Sequence, residues 1–116
     1  MKFDNIETYE LFPPDLIPVL NNSKLIINAT PIGMSPDADD SPINNSKIFV
    51  PSQIAFDIVY NPVNTKFLQM AKEEGAVVLD GIKMLVHQAA RSFELWTGTT
   101  MPVEGVYDAL KKYLEP

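Results

Sequence analysis

Three short strings hold most of the residues that could do chemistry: Asn28-Ala29-Thr30-Pro31-Ile32-Gly33-Met34, then Asp57-Ile58-Val59-Tyr60-Asn61-Pro62 with Thr65 after it, then Asp80-Gly81-Ile82-Lys83-Met84-Leu85-Val86-His87-Gln88. The first places a Thr-Pro turn and a glycine after an apolar run, the position at a strand's carboxyl end where open α/β sheets bind ligands. Asp57 sits inside an apolar run, so its carboxyl predicts a structural hydrogen-bonding task. Gly81, after a third apolar run, would let a main-chain carbonyl meet a flat ligand without side-chain interference. Helical spacing sets Met84 and Gln88 on one face, a turn apart and looking back toward the strand ends. Read bare, such a glutamine is a satisfied polar residue at the rim.

Other chemistries find less support. His87 is the only histidine and would titrate near neutral pH, but no cysteine, second histidine or paired carboxylate accompanies it, which argues against a catalytic assignment. Asp37, Asp39 and Asp40 lack the ligand ladder and closing glutamate of a calcium loop and read as solvated. The five glycines, Gly33, Gly75, Gly81, Gly98 and Gly105, never fall at the spacing of a dinucleotide-binding turn. The only arginine, Arg91, lies far from where a 2'-phosphate clamp would stand.

The elements that must position these strings follow from periodicity. Lys24 to Ala29, Gln53 to Tyr60 and Ala76 to Leu79 are short apolar runs, the pattern of parallel strands covered on both faces. Between the second and third, Thr65 or Asn64 can cap a helix bearing Phe67, Leu68, Met70 and Ala71, with Gly75 as its stop. From Gly81 the period becomes helical through Leu85, Ala89, Phe93 and Trp96 up to Gly98, and Met101-Pro102-Val103-Glu104 opens a last helix. Upstream, Asn5 to Leu11 reads as a short strand ending at Phe12-Pro13-Pro14. Pro14 to Asn21 reads as a connector in which Pro18 limits any helix to a brief turn. Ser35 to Ser46 has loop chemistry and belongs on the surface.

A chain of 116 residues is long enough for one core and too short for two. The expectation is a single α/β domain over residues 1–116. Without cysteine it can hold neither disulfide nor thiolate metal site, which fits a reducing compartment and suggests the cytoplasm. No apolar run approaches the roughly 18 residues that would span a bilayer, the amino terminus lacks a signal pattern, and no membrane partner is expected. A net charge of -6 with basic residues scattered along the chain argues against nucleic acid.

Taken in order, the three strings resemble the C-terminal half of shikimate dehydrogenase, over nearly all of the chain from about Asn5. The resemblance implies the second half of a doubly wound, Rossmann-like parallel sheet followed by two C-terminal helices. It also implies an NADP-dependent oxidoreductase interconverting 3-dehydroshikimate and shikimate in aromatic amino acid biosynthesis, the chorismate pathway. By the same resemblance Asn28, Thr30, Pro31, Ile32, Ile58, Gly81 and Met84 contact the nicotinamide end of NADP, while Tyr60 and Gln88 reach the substrate. The family's glycine-rich loop and the lysine and aspartate that move the hydroxyl proton have no counterpart in this chain. The chain alone is therefore expected to be inactive. A quinate-using relative and a non-catalytic interaction module are the alternatives. In the 3-2-1-4-5-6 strand order, the Leu25 to Ala29 strand would lose its neighbour and become an exposed edge, so a homodimer through that edge is expected, with exchange of the amino-terminal strand as one way to form it.

Overall fold

The computed structural model describes residues 4–11 and 16–115. Three parallel strands, β1 (Leu25–Asn28), β2 (Ile54–Asp57) and β3 (Val77–Leu79), lie side by side in that order. Leu25 stands opposite Ile54 and Ile54 opposite Val77, so the three strands share one register and end together. Helix α1 (Leu16–Asn22) precedes the sheet, and α2 (Lys66–Glu73) joins β2 to β3. Helices α3 (Ile82–Thr97) and α4 (Val103–Leu114) follow.

Side-chain alternation in the strands decides where the core forms. Ile26 and Ala55 point to one face and meet Phe67, Leu68 and Ala71 of α2, with Ile48 and Phe49 of a 3-10 turn (Ser46–Ile48) closing the cluster. Phe67 is buried and packs edge-on to Phe49, ring centroids 5.3 Å apart, and its burial is worth about 1.5–3 kcal/mol. Thr65 caps α2 by accepting from the Leu68 amide at 3.3 Å. Buried Gln53 stitches α1 to the sheet. Its Oε1 accepts from the Val50 amide at 2.8 Å, and its Nε2 donates to the carbonyls of Leu20 and Ser23 at 2.5 and 2.8 Å. Beyond α2, the Ser46 hydroxyl and then the Lys47 ammonium hold the Glu74 carboxyl below its ordinary range. A second core joins α3 to α4 through Val63, Ile82 and Val86 against Val106, Tyr107 and Leu110.

Four expectations are corrected. The segment from Asn5 to Leu11 is not a strand: it carries no ladder, and Ile6, Tyr9 and Leu11 are exposed. Without a neighbour to take its backbone groups, an isolated extended segment gains nothing from alternation. Helix α1 runs through Pro18 rather than stopping at it, because Pro18 is the third helical residue, where a backbone N–H has no intrahelical acceptor. The Phe12-Pro13-Pro14 break and the Pro14 start of the connector lie outside the described residues.

Among the described residues the strands are covered on one face only. Leu25, Ile27, Ile54, Val77 and Leu79 form exposed rows on the other, with Leu25 50% and Val77 58% accessible. Nor does α3 bury the stripe of Leu85, Ala89, Phe93 and Trp96. Its buried line is Ile82, Val86 and Ala90, and Trp96 remains 84% exposed. The stripe that α4 covers lies about 65° around the helix from the expected one, a choice made by the packing partner rather than by spacing.

Candidate functional site

Because the strands are parallel and in register, Asn28, Asp57 and Leu79 bring the three chemistry-bearing turns to one end of the sheet. The turn after β1 is built on Asn28, which is buried. Its Oδ1 accepts from the amide and hydroxyl of Thr30 at 3.0 and 2.7 Å, while its Nδ2 donates to the Ile32 carbonyl at 3.2 Å and to Asp57 Oδ1 at 3.1 Å. Gly33 closes that turn at φ +93°, a left-handed conformation, and a Cβ there would stand 3.0 Å from the Asp40 carbonyl oxygen.

The turn after β2 is organised by Asp57, which is fully buried. Its carboxylate receives the Asn28 amide, the Val59 backbone N–H at 2.9 Å and the Thr65 hydroxyl at 2.7 Å. After that web the chain leaves the sheet, with Val59 buried and Tyr60 exposed. At the rim the Ser35 amide donates to the Asn61 carbonyl at 2.9 Å, tying the two turns again.

Between these turns lies an open cleft of about 420 Å³ lined by Thr30, Pro31, Met34, Ile58, Tyr60 and Asn61 among others. Gly81 stands directly behind it. A Cβ built on Gly81 would lie 2.7 Å from the Val59 carbonyl oxygen and closer still to that of Ile58, so only glycine lets α3 begin against this wall. Asp80 Oδ1 accepts from the Ile82 amide at 3.0 Å, which satisfies the first backbone donor of α3.

The residues singled out from sequence thus divide by place. Thr30, Pro31, Ile58 and Tyr60 share the cleft, Tyr60 being 40% exposed, and Gly81 backs it. Met84 lines a neighbouring hollow with Phe56, Leu79, Asp80, Lys83 and Tyr107, and Gln88 is exposed one helical turn beyond it. Ile32 lies on the outer side of its turn, in a hollow with Gly33, Asp37 and Asp40. Asn28 has its amide spent within the turn. His87 shares a small hollow with Lys83, Glu104 and Tyr107, away from the cleft. Among the described residues no cluster of three His, Asp or Glu side chains could hold a metal.

The cleft also takes in Met34, Ser35 and Asn61, to which sequence reasoning gives no ligand role. Their direct adjacency to Gly33 and Tyr60 was the available signal. The hydrogen bond that joins them is long-range and had none.

The residues 81–111 match the family model described as the Shikimate 5'-dehydrogenase C-terminal domain. The NADP(+) shikimate dehydrogenase of Prosthecochloris aestuarii is 45% identical over 109 residues, which is 90% of this chain and 38% of that protein. The chain is homologous to the C-terminal part of shikimate dehydrogenase. It spans less than two-fifths of that relative's length. Among solved structures, the Thermus thermophilus shikimate 5-dehydrogenase in complex with NADP(H) and shikimate superposes with a TM-score of 0.75 at 34% identity, covering 83% of this chain and 36% of that one. The quinate dehydrogenase of Corynebacterium glutamicum in complex with NAD gives 0.74 at 29%, covering 82% and 33%. The parallel α/β sheet is therefore the Rossmann-like sheet of the shikimate dehydrogenases, and the cleft lies at the carboxyl ends of its strands.

Proposed function

We propose that this chain forms the nicotinamide and substrate rim of an NADP-dependent shikimate dehydrogenase that interconverts 3-dehydroshikimate and shikimate. One observation carries the reading: Thr30 and Pro31 from one turn and Ile58 and Tyr60 from the next line a single cleft whose back wall admits no side chain at Gly81. The residues fit one end of the cofactor. A largely apolar cleft suits the flat nicotinamide ring. The phosphates are not provided for, since Arg91 lies on α3 at 3.4 Å from Glu94 and no glycine-rich turn is present. Bound NADP supplies the hydride acceptor. Thr30, Pro31 and Ile58 would hold its ring, Gly81 would keep the Ile58–Val59 wall seated behind it, Met84 would border it, and Tyr60 and Gln88 would orient the substrate hydroxyls. The phosphate grip and the proton-transferring pair belong to the length of the relatives that this chain does not span. A cytoplasmic setting suits a chain without cysteine.

In a chimera carrying this chain as the C-terminal part of a related dehydrogenase, Tyr60→Ala and Gln88→Ala should each raise the KM for shikimate far more than that for NADP. Losing one hydrogen bond to a ligand hydroxyl costs about 1–3 kcal/mol, roughly 5- to 150-fold. His87→Ala should do much less. Abolition of turnover by His87→Ala beside a silent Gln88→Ala would reverse the assignment. Parallel assays with quinate decide between the two hydroxy acids.

The same reading extends to association. Among the described residues β1 pairs only with β2, which leaves its outer edge without a strand partner, next to exposed Leu25 and Ile27. We assign this edge to a homodimer contact, because pairing two such edges satisfies backbone groups and covers apolar surface at once. Sedimentation across a concentration series should show a monomer–dimer equilibrium. A monomer persisting at high concentration would exclude it.

A further inference from the structure

We propose that Asp57 is the positioning residue that fixes the two walls of the cleft relative to each other, a role that rests on the cleft being the ligand site. The three donors to its carboxylate come from three different segments: Asn28 at the end of β1, Val59 in the turn after β2, and Thr65 at the cap of α2. Through Asn28 the connection continues to the amide and hydroxyl of Thr30 and to the Ile32 carbonyl. One unbroken path of hydrogen bonds therefore runs from Thr30 on one wall, through Asn28 and Asp57, to Val59 on the other.

Strand pairing does not require this carboxylate. The ladder already continues past Asp57 through the Ile58 amide, which donates to the Asn28 carbonyl at 3.1 Å. What the carboxylate adds is acceptor capacity on both oxygens in a place closed to water. An amide in its place keeps one acceptor oxygen and turns a donor toward Thr65. The Thr65 hydroxyl already accepts from Leu68 at its cap, so its own proton would lose its partner. Alignment of reacting groups depends on such supports, since a displacement of about 1 Å costs roughly 100-fold in rate.

The test uses hydrogen exchange followed by NMR on the whole chain, comparing it with Asp57→Asn and, should it fold, Asp57→Ala. The informative amides are Thr30 and Ile32, which bond to Asn28 and Thr30 side chains and never touch Asp57. Their exchange should accelerate about tenfold or more in D57N, while the ladder amides of Ile54 and Val77 stay within about twofold. Equal acceleration at all four amides would reduce Asp57 to a general stabiliser and overturn the proposal, as would unchanged exchange at Thr30 and Ile32. The exchange is read without ligand, so it does not depend on the dehydrogenase reading. In the chimera, D57N should lower kcat for shikimate oxidation by about tenfold or more. Altered exchange with unchanged kcat would overturn the positioning role. A chimera with no turnover before any substitution would instead count against the dehydrogenase reading.

Discussion

Purified chain mixed with shikimate and NADP+ is expected to show no reduction of the nucleotide above background. Two independent deficits produce this result. A dinucleotide is held chiefly by its phosphates, through backbone donors of a glycine-rich turn at a helix terminus and an arginine on the 2'-phosphate. The glycines of this chain are dispersed, and its one arginine sits on the exposed side of α3 facing Glu94. The second deficit lies in proton transfer. A positioned acid–base pair contributes about 100- to 10,000-fold, and fixing two reactants together contributes about 7–11 kcal/mol. Lys83, the lysine bordering the hollow next to the cleft, is turned to the Tyr107 ring, its Nζ 5.6 Å from the centroid, and has no carboxylate partner among the described residues to form such a pair. Fluorescence titration with NADPH and shikimate-dependent absorbance at high protein concentration measure both deficits. Micromolar NADPH binding or steady turnover would contradict the expectation.

Gly81→Val should be the most damaging single substitution at the site. The neighbours of the added carbons are the carbonyl groups of Ile58 and Val59, backbone atoms that cannot swing aside as a flexible side chain would. Overpacking of a well-filled core costs about 1–3 kcal/mol, and a clash with backbone belongs at or above the upper end of that range. Relief requires α3 to lift from the end of the sheet, which would draw Ile82 and Val86 away from Val63. Urea denaturation should show a midpoint lowered by the equivalent of about 3 kcal/mol or more. Gly81→Ala should show a smaller loss of the same sign. Because Gly81 has φ −77°, a conformation any residue adopts, the loss reports contact rather than backbone strain. Unchanged stability in both variants would mean that the wall yields.

Much of this fold was legible in the chain because its signals are local. The runs Lys24 to Ala29, Gln53 to Tyr60 and Ala76 to Leu79 announce strands, which form over Leu25–Asn28, Ile54–Asp57 and Val77–Leu79; Thr65 and Gly75 bracket α2, and Gly98 ends α3 in a left-handed turn. Burial on one face of the sheet was not legible. An apolar strand reads the same whether its second face is covered or bare, and here Leu25, Ile27 and Val77 keep theirs exposed. The buried side of α3 was likewise decided by α4, a tertiary choice that left Trp96 outside. At the site, the three motif strings located the turns, but not how they are joined. The link between Asn28 and Asp57 spans 29 residues, and that between Ser35 and Asn61 spans 26, distances over which no periodicity carries information. Gly81 was read as leaving room for a ligand. The geometry shows that it first leaves room for the Ile58–Val59 backbone.

The most direct measurement is turnover by a chimera in which this chain replaces the matched C-terminal 38% of the Prosthecochloris aestuarii enzyme. If the chain forms the nicotinamide and substrate rim of a shikimate dehydrogenase, the chimera reduces NADP+ with shikimate at a rate within about 100-fold of the parent, the penalty that a misplacement of about 1 Å carries. A folded chimera that binds NADPH through the parent's own phosphate site yet shows no shikimate-dependent reduction would contradict the account.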